Sequence, residues 1–259
     1  MAEPVYQLRP IHVATLPVPG WECFFGKHDL NFHDLYFYVW LVRGGGVQGL
    51  IDTGVPIDPT ELKALDVGCQ SVDPKSFFSD VRTLDRVFEQ ENIRPEELDF
   101  LLITQPITYH TGGMVPELFP KAKVYISLTG FNEFMLDNPG HPPRDLYFTK
   151  RNWDFIRELT IQGRLVLTDG PIQVVPGITF ETTGGHHPGS AGVKIRTARG
   201  TVGILETAFL RKNIDDARPI GVAEDAARCR REIRRYKREC DIVFADHDPL
   251  ILQDYPQGL

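Results

Sequence analysis

The segment Leu-Leu-Ile-Thr-Gln-Pro-Ile-Thr-Tyr-His-Thr-Gly-Gly, residues 101–113, determines how the rest of the chain is interpreted. Its first three residues form a short apolar run that is typical of a buried strand. The polar residues that follow, ending in Gly112-Gly113, predict a loop that leads into a helix. Because loops held by a rigid α/β scaffold often carry reactive side chains, the segment between Thr104 and His110 is the first candidate for a functional site.

The composition indicates one globular domain. A chain of 259 residues with 42% hydrophobic residues is long enough to bury a large core. No Gly/Ser-rich or Pro-rich linker divides it, so we predict a single domain over residues 1–259. A net charge of −7 argues against a general nucleic-acid-binding protein.

The location of the protein is predicted from features that the sequence lacks. Its first residues have no continuous apolar run of the kind found in a signal peptide. No segment approaches the roughly 18 consecutive apolar residues of a membrane span. The four cysteines show no close pairing of the Cys-x-x-Cys type, which favours reduced thiols. These features predict a cytoplasmic protein that does not bind membranes.

Periodicity of apolar residues predicts alternating strands and helices. The aromatic and β-branched run at 35–43 predicts a strand, and Gly44-Gly45-Gly46 predicts the turn after it. Residues 55–77 are predicted to be a long polar connection, and they are a candidate contact in a homodimer. Further helices are predicted at 78–91, 114–119, 150–162 and 223–240, and further strands at 6–17, 123–127, 164–168, 172–175, 178–182, 193–197, 201–205 and 242–245.

Residues 104–113 resemble the signature Thr-His-x-His-x-Asp-His-x-Gly-Gly of the metallo-β-lactamase superfamily. Gln105 and Ile107 occupy the positions of the first two histidines, and Tyr109 occupies the position of the aspartate. His110 is retained. The framework of the signature is therefore present, although most of its metal ligands are replaced.

Four other segments, one before and three after residues 104–113, resemble further signatures of the same superfamily, and they occur in the same order at the ends of predicted strands. They are Asp52-Thr53-Gly54, residues 185–190, residues 204–208 and residues 245–249. The resemblance implies a mixed α/β fold, the αββα sandwich of the metallo-β-lactamase type. The chain length, the aromatic strand at 35–43 and the long connection after Asp52-Thr53-Gly54 resemble the lactonase-like branch. In that family the aspartate at position 52 holds the loops of the active site together.

The retained ligand positions imply one metal rather than two. His110, His186 and His247 stand where the family has metal-binding histidines, whereas Thr207 replaces the bridging aspartate. Two cations with no carboxylate between them would repel each other strongly, which argues against a dinuclear zinc site. Three imidazoles and water suffice for one Zn²⁺, Mn²⁺ or Fe²⁺, so we predict a single divalent transition metal. The alternative is a site without metal.

The catalytic candidates are Tyr109, His110 and Glu206. The phenol of Tyr109 is suited to act as an acid or as an oxyanion donor. The competing interpretation is that it fills the volume of a lost metal. Glu206 would add a carboxylate if the end of its strand turned it inward. The candidates for substrate binding are His28, His33, Gln105, His187 and Thr207.

Three functional hypotheses follow for a small-molecule substrate. The first is a hydrolase that opens a small ester, lactone or cyclic amide with one metal held by His110, His186 and His247. The second is a metal-independent hydrolase or lyase that uses Tyr109 and the histidines as acid and base. The third is a non-catalytic binding protein, because a fold alone does not determine function.

Overall fold

The computed structural model describes residues 3–135 and 148–259. The described strands are β1 Tyr6–Pro19, β2 Phe32–Gly44, β3 Val47–Ile51, β4 Phe100–Leu102, β5 Lys123–Ser127, β6 Leu165–Thr168, β7 Ile172–Val175, β8 Ile178–Thr182, β9 Ala191–Thr197, β10 Gly200–Leu205 and β11 Ile242–Ala245. The described α-helices are α1 Gly20–Cys23, α2 Pro59–Val72, α3 Leu84–Glu91, α4 Thr108–Thr111, α5 Leu128–Met135, α6 Lys150–Ile161, α7 Arg211–Asp215, α8 Ala226–Glu239 and α9 Leu250–Asp254. None of these helices is long and apolar enough to cross a membrane.

The strands follow one hydrogen-bonded path, β11-β10-β9-β1-β2-β3-β4-β5-β6, with β8 between β9 and β7. The two halves of the path are joined by a single pairing, Tyr6 with Thr197. Apolar residues from both halves, such as Trp40 and Phe180, form one buried cluster between them. The helices pack on the outer faces through a second cluster. The predicted αββα sandwich is therefore confirmed.

The sequence of β2 explains why both of its faces are buried. Its odd-numbered residues Leu35 to Leu41 belong to the cluster on the helix side, and Tyr38, Trp40 and Val42 belong to the cluster between the sheet halves. Successive side chains of a strand point to opposite faces, so an unbroken apolar run is needed at a position covered on both sides. The indole of Trp40 is fully buried and donates toward Asp246 Oδ1 at 3.3 Å.

The prediction of a polar connection at 55–77 is wrong for most of this range, because a helix occupies it. Residues Pro59–Val72 form α2, and the Asp58 carboxylate accepts hydrogen bonds from the backbone amides of Thr60 and Glu61. The cap and the proline at the first helical position are favourable helix-start signals. Only Leu65 of this helix is fully buried, which explains why its apolar period is weak in the sequence.

Two other helix predictions need correction. The helix predicted at 78–91 begins only at Leu84, because residues 78–83 run beside β1 with a bridge between Thr15 and Ser79. In place of the helix predicted at 114–119 there is a short 3₁₀ turn at Pro116–Leu118. The helix predicted at 223–240 is α8, which buries Cys229, Ile233 and Tyr236 and exposes most of its arginines.

Candidate active site

The candidate residues meet because they follow the ends of neighbouring strands. Asp52 follows β3, the segment from Thr104 to His110 follows β4, and Glu206 follows β10. His186 lies between β8 and β9, and His247 follows β11. In open α/β sheets the carboxyl ends of the strands form the usual binding crevice. The fold therefore brings side chains from five separate segments to one place.

The two glycines of the segment 101–113 allow its close approach to the Asp52 loop. A Cβ atom on Gly112 would lie 2.2 Å from the backbone nitrogen of Pro56, and one on Gly113 would lie 2.6 Å from the carbonyl oxygen of Thr53. The same contact is fixed by the Thr53 amide, which donates to the His110 carbonyl at 2.8 Å. Any larger residue at either glycine would push His110 away from the loop.

Asp52 fixes the orientation of the His110 ring through a contact with Nδ1. Its Oδ2 lies 2.9 Å from His110 Nδ1, and both side chains are almost fully buried. Burial alone would lower the pKa of His110, but the charge and hydrogen bond of Asp52 raise it to about 9. Since an ionised carboxylate only accepts, Nδ1 of His110 donates. The other ring nitrogen, Nε2, is buried and has no hydrogen-bond partner among the described residues.

Glu206 orients His186 in the same way. Its Oε1 lies 2.5 Å from His186 Nδ1, and the carboxylate is fully buried. Burial would raise the pKa of Glu206, yet the His186 imidazole and its hydrogen bond lower it to about 2. The imidazole is kept neutral because burial lowers the pKa of His186 despite the nearby carboxylate. Its Nε2 is therefore the nitrogen available for chemistry.

His247 is the third buried imidazole. Its Nδ1 lies 3.2 Å from the carbonyl oxygen of Tyr36, and its ring centroid lies 5.3 Å from that of His110. Burial and the charge of His110 lower the pKa of His247 to about 3, so the ring is neutral. In all three histidines an oxygen atom contacts Nδ1, an arrangement typical of metal-binding imidazoles.

A carboxylate that the sequence comparison did not single out lies beside two of these histidines. His110, Asp246 and His247 each place one potential ligand atom within 4.8 Å of those of the other two. Burial and the Asp52 charge raise the pKa of Asp246 to about 7. His186 is outside this close group, although it shares a cavity with His247. The sequence does place Asp246 at the end of a strand, because this residue directly follows the apolar run of β11.

A cavity of about 200 Å³ opens onto His186 and His247, whereas His110 and Asp246 lie behind its wall and do not line it. His186, His247 and Tyr109 contribute polar atoms to it. Most of the remaining wall is apolar and comes from β1, β2, α2 and the loops of the second half: Leu16, Val18, Leu35, Phe37, Val72, Ile107, Phe209 and Val222. Such a cavity suits a molecule with a polar reacting group and an apolar substituent.

Comparisons with known proteins agree with this architecture. Neither a scan against protein-family models nor a search of curated proteins gives a match. Among solved structures, an N-acyl homoserine lactone hydrolase with N-hexanoyl-L-homoserine at its catalytic metal centre superposes with a TM-score of 0.77 and 16% identity, covering 100% of both chains. The protein has the metallo-β-lactamase fold.

Two further structures with this fold are similar over slightly less of the chain. A probable metal-dependent hydrolase from Staphylococcus aureus has a TM-score of 0.72 and 16% identity, covering 96% of this chain and 91% of its own. A dizinc quorum-quenching lactonase in complex with a product has a TM-score of 0.65 and 16% identity, with coverages of 96% and 90%. The neighbours with this fold are thus metal-dependent hydrolases, several of them lactonases.

The residues present fit one divalent cation at the site that the fold implies. Within residues 3–135 and 148–259, the buried Nε2 of His110 has no hydrogen-bond partner, and the same holds for both amide atoms of Gln105 and the hydroxyl of Thr207. Buried polar atoms are normally hydrogen-bonded, so a group of unpartnered ones indicates a missing ligand or ordered water. The imidazoles of His110 and His247 and the carboxylate of Asp246 supply a donor set that suits Zn²⁺, Mn²⁺ or Fe²⁺.

The other predicted site residues divide into two groups. Gln105 and Thr207 are buried within the site, and Tyr109 is half-buried on the cavity wall, with its ring centroid 5.3 Å from that of His110. The second group lies away from the cavity: His28 is exposed, His33 contacts Asp29 at 3.0 Å, and His187 contacts Glu224 at 2.7 Å. These three side chains do not line the cavity, and their role in substrate binding stays a prediction.

Glu22 is a cavity residue that sequence reasoning missed. It lies in α1, among apolar wall residues such as Val18 and Val72. Burial, followed by the charge of Asp73, raises the pKa of Glu22 to about 7. Its only sequence signal was a charged residue between Trp21 and Cys23 in a largely apolar stretch.

The raised pKa of Glu22 predicts a pH-dependent effect on stability. The folded state disfavours the ionised carboxylate, so Glu22 destabilises the protein progressively as the pH rises from about 4.5 to about 7. Glu22→Gln should therefore raise the free energy of unfolding at pH 8 by about 1–2 kcal/mol and leave it nearly unchanged at pH 4. Urea denaturation at the two pH values tests this, with the exposed Glu96→Gln as control. Equal effects of Glu22→Gln at both pH values would contradict it.

Proposed function

We propose that the protein is a hydrolase that opens a small ester, lactone or cyclic amide bearing an apolar substituent, with the help of one divalent transition metal. The observation that carries this proposal is the set of three buried imidazoles, each with its Nδ1 against an oxygen atom. Nε2 of His110 would lose its proton on metal binding. The similar structures support it, because they are metal-dependent hydrolases that share the fold.

A divalent metal bound at this site supplies Lewis-acid polarisation of a carbonyl oxygen and increases the acidity of water. His110 and His247 are the imidazoles that would hold it, because they lie together with Asp246. His110 is held in place by Asp52, and His247 by the Tyr36 carbonyl. These fixed contacts keep both Nε2 atoms in position.

His186 was predicted as a third ligand, but in this proposal it transfers protons. The Glu206 carboxylate accepts the hydrogen bond from its Nδ1, which fixes the tautomer with a free Nε2 lone pair. A neutral imidazole in the cavity wall can accept a proton from water and return it to the leaving oxygen or nitrogen. The phenol of Tyr109, on the same wall, is a donor for the developing oxyanion.

The apolar wall of the cavity would bind the substituent of the substrate. Burying each additional methylene group of a bound chain contributes up to about 0.8 kcal/mol. Leu16, Val18 and Val72 offer such a surface, and the neighbouring lactone hydrolase holds a product with a hexanoyl chain. Esters and lactones with a chain of several carbons should therefore be better substrates than their unsubstituted analogues.

The proposal is tested with metal-loaded protein and two lactones, N-hexanoyl-homoserine lactone and unsubstituted γ-butyrolactone, followed by proton release in a pH-stat. We expect turnover of both lactones. The kcat/KM for the acylated lactone should be at least about 10-fold higher than that for γ-butyrolactone, because a six-carbon chain adds several buried methylene groups, each contributing up to about 0.8 kcal/mol. Chelation should abolish turnover, and the same metal should restore it. Activity that survives complete chelation would instead support acid–base catalysis without metal. Loaded protein that turns over neither lactones, simple esters nor cyclic amides would contradict the hydrolase assignment.

A further inference from the structure

We propose that Asp246 provides the carboxylate ligand of the single cation, replacing the carboxylates that the family signature places at positions 109 and 207. The inference rests on the proposed function, because it concerns the metal used there. It assigns a specific ligand set, His110, Asp246 and His247, to this chain.

The three side chains are close enough to bind one ion. Their ligand atoms lie within 4.8 Å of one another. A common ion about 2.0–2.2 Å from each allows separations of at most about 4.4 Å, so the side chains would move slightly closer together on binding. All three residues are about 2% exposed, so the fold has excluded water from around them. Asp246 and His247 are carried on the end of β11, where the amides of both residues donate to the backbone at Ala208 and Phe209. The site is thereby built on rigid elements.

The carboxylate of Asp246 has no strong partner in the described part of the chain. Its two contacts are long: Trp40 Nε1 lies 3.3 Å from Oδ1, and Thr104 Oγ1 lies 3.4 Å from Oδ2. No described lysine or arginine forms an ion pair with it, whereas the nearby Asp52 accepts hydrogen bonds of 2.6–2.9 Å. A buried carboxyl group with only weak hydrogen bonds is costly unless a nearby cation compensates it, and here that charge comes from the neighbouring His110 imidazole or from a bound metal ion.

Asp246 also restores the charge that the substitutions removed. Tyr109 and Thr207 cannot supply a carboxylate to the metal. A carboxylate from β11 reaches the same pair of histidines from another segment. Two imidazoles and one carboxylate form a set that binds Zn²⁺, Fe²⁺ and Mn²⁺ and leaves positions open for substrate and water. The unpartnered Nε2 of His110 is consistent with a ligand atom in this set.

The experiment measures metal binding directly. Wild type and the variants Asp246→Asn, His186→Ala and Asp248→Asn are stripped with a chelator and reloaded with Zn²⁺ or Mn²⁺. Metal per chain is then determined by elemental analysis, and affinity by competition with a chromophoric chelator. We expect about one equivalent in wild type, His186→Ala and Asp248→Asn, and at least about 100-fold weaker binding in Asp246→Asn. Asp248 is a matched control because it is equally buried, two residues away, and caps the start of α9.

Folding is checked separately, because a misfolded variant would also lose metal. Asparagine has the shape of aspartate, and the metal-free Asp246→Asn protein should unfold at a urea concentration no lower than metal-free wild type. In the cobalt-loaded proteins, the visible spectrum of Asp246→Asn should differ from that of wild type, whereas His186→Ala should leave it unchanged.

The outcomes separate the ligand assignment from the proposed function. If His186→Ala loses the metal and Asp246→Asn keeps wild-type affinity, the ligands are the three histidines; the inference about Asp246 is then wrong and the hydrolase proposal stands. Two equivalents of metal per chain would also overturn it. A wild-type protein that binds neither Zn²⁺, Mn²⁺ nor Fe²⁺ would overturn both.

Discussion

Replacing His247 by alanine should reduce kcat/KM for lactone hydrolysis on the order of 10³-fold, the largest effect on activity that we expect. The residue both faces the cavity and belongs to the close group with His110 and Asp246. Its loss would remove a metal ligand, and a catalytic metal contributes several kcal/mol to the transition state, or about a factor of ten for each 1.4 kcal/mol. Steady-state rates at saturating metal measure the effect.

The comparison variant for this experiment is His187→Ala. His187 is adjacent to His186 in the sequence, but its side chain contacts the exposed part of Glu224 and does not line the cavity. We expect kcat/KM within about threefold of wild type, as for a typical surface substitution. Full activity in His247→Ala would remove His247 from the site, and equal losses in both variants would indicate that the loops, rather than individual ligands, had been disturbed.

Several strands could be predicted from the sequence because they are short apolar runs bounded by turn residues, whereas the αββα arrangement was implied by the resemblance of the strand-end motifs. The predictions at 123–127, 172–175, 178–182 and 242–245 agree with the bounds of β5, β7, β8 and β11. Buried strands need apolar side chains on both faces, and glycine or polar residues are needed where the chain turns. These requirements are local, and they are visible in one sequence.

The errors occur where local and tertiary preferences differ. Helix α2 was missed because it lies on the surface with a weak apolar period, although Asp58-Pro59-Thr60-Glu61 is a good helix start. Residues 78–83 have apolar residues at helical spacing but are held extended beside β1 by backbone hydrogen bonds, including that of the Arg82 amide to Val13. Tertiary pairing overrides helix propensity there.

The candidate site was only partly predictable. The order of strand-end motifs indicates that His110, His186 and His247 approach one cavity, since each motif has a fixed place in the fold. Asp246 stands at none of the positions where the family has its carboxylates, and its closeness to His110 and His247 is a three-dimensional property that one sequence does not show. His28 and His33 look like a site in the sequence, but His28 is exposed and the partner of His33 is the local Asp29.

Replacing Asp52 by alanine should lower the free energy of unfolding by about 3–5 kcal/mol, the largest effect on stability that we expect. Asp52 is 1% exposed, and its carboxylate accepts hydrogen bonds from the Thr104 amide at 2.8 Å, the Thr104 hydroxyl at 2.6 Å and His110 Nδ1 at 2.9 Å. Alanine leaves the Thr104 amide and His110 Nδ1 buried without this acceptor, and it leaves the Thr104 hydroxyl with only the long contact of 3.4 Å to Asp246. It must also adopt the positive φ of 58° found at this residue, a left-handed conformation that costs about 1 kcal/mol or more.

The variant Asp52→Asn separates the effect of charge from that of shape. Asparagine tolerates the positive φ and can still accept from Thr104, but it cannot stabilise a protonated His110. Since burial lowers the pKa of His110 and Asp52 makes the largest contribution to raising it to about 9, this pKa should fall in the variant, where only the charges of Asp246 and Glu206 still raise it. Urea denaturation of both variants and NMR titration of the His110 ring, with the exposed Asp34→Ala as control, give the two quantities. A loss of less than 1 kcal/mol in Asp52→Ala, or an unchanged His110 pKa in Asp52→Asn, would show that this carboxylate does not hold the two loops together.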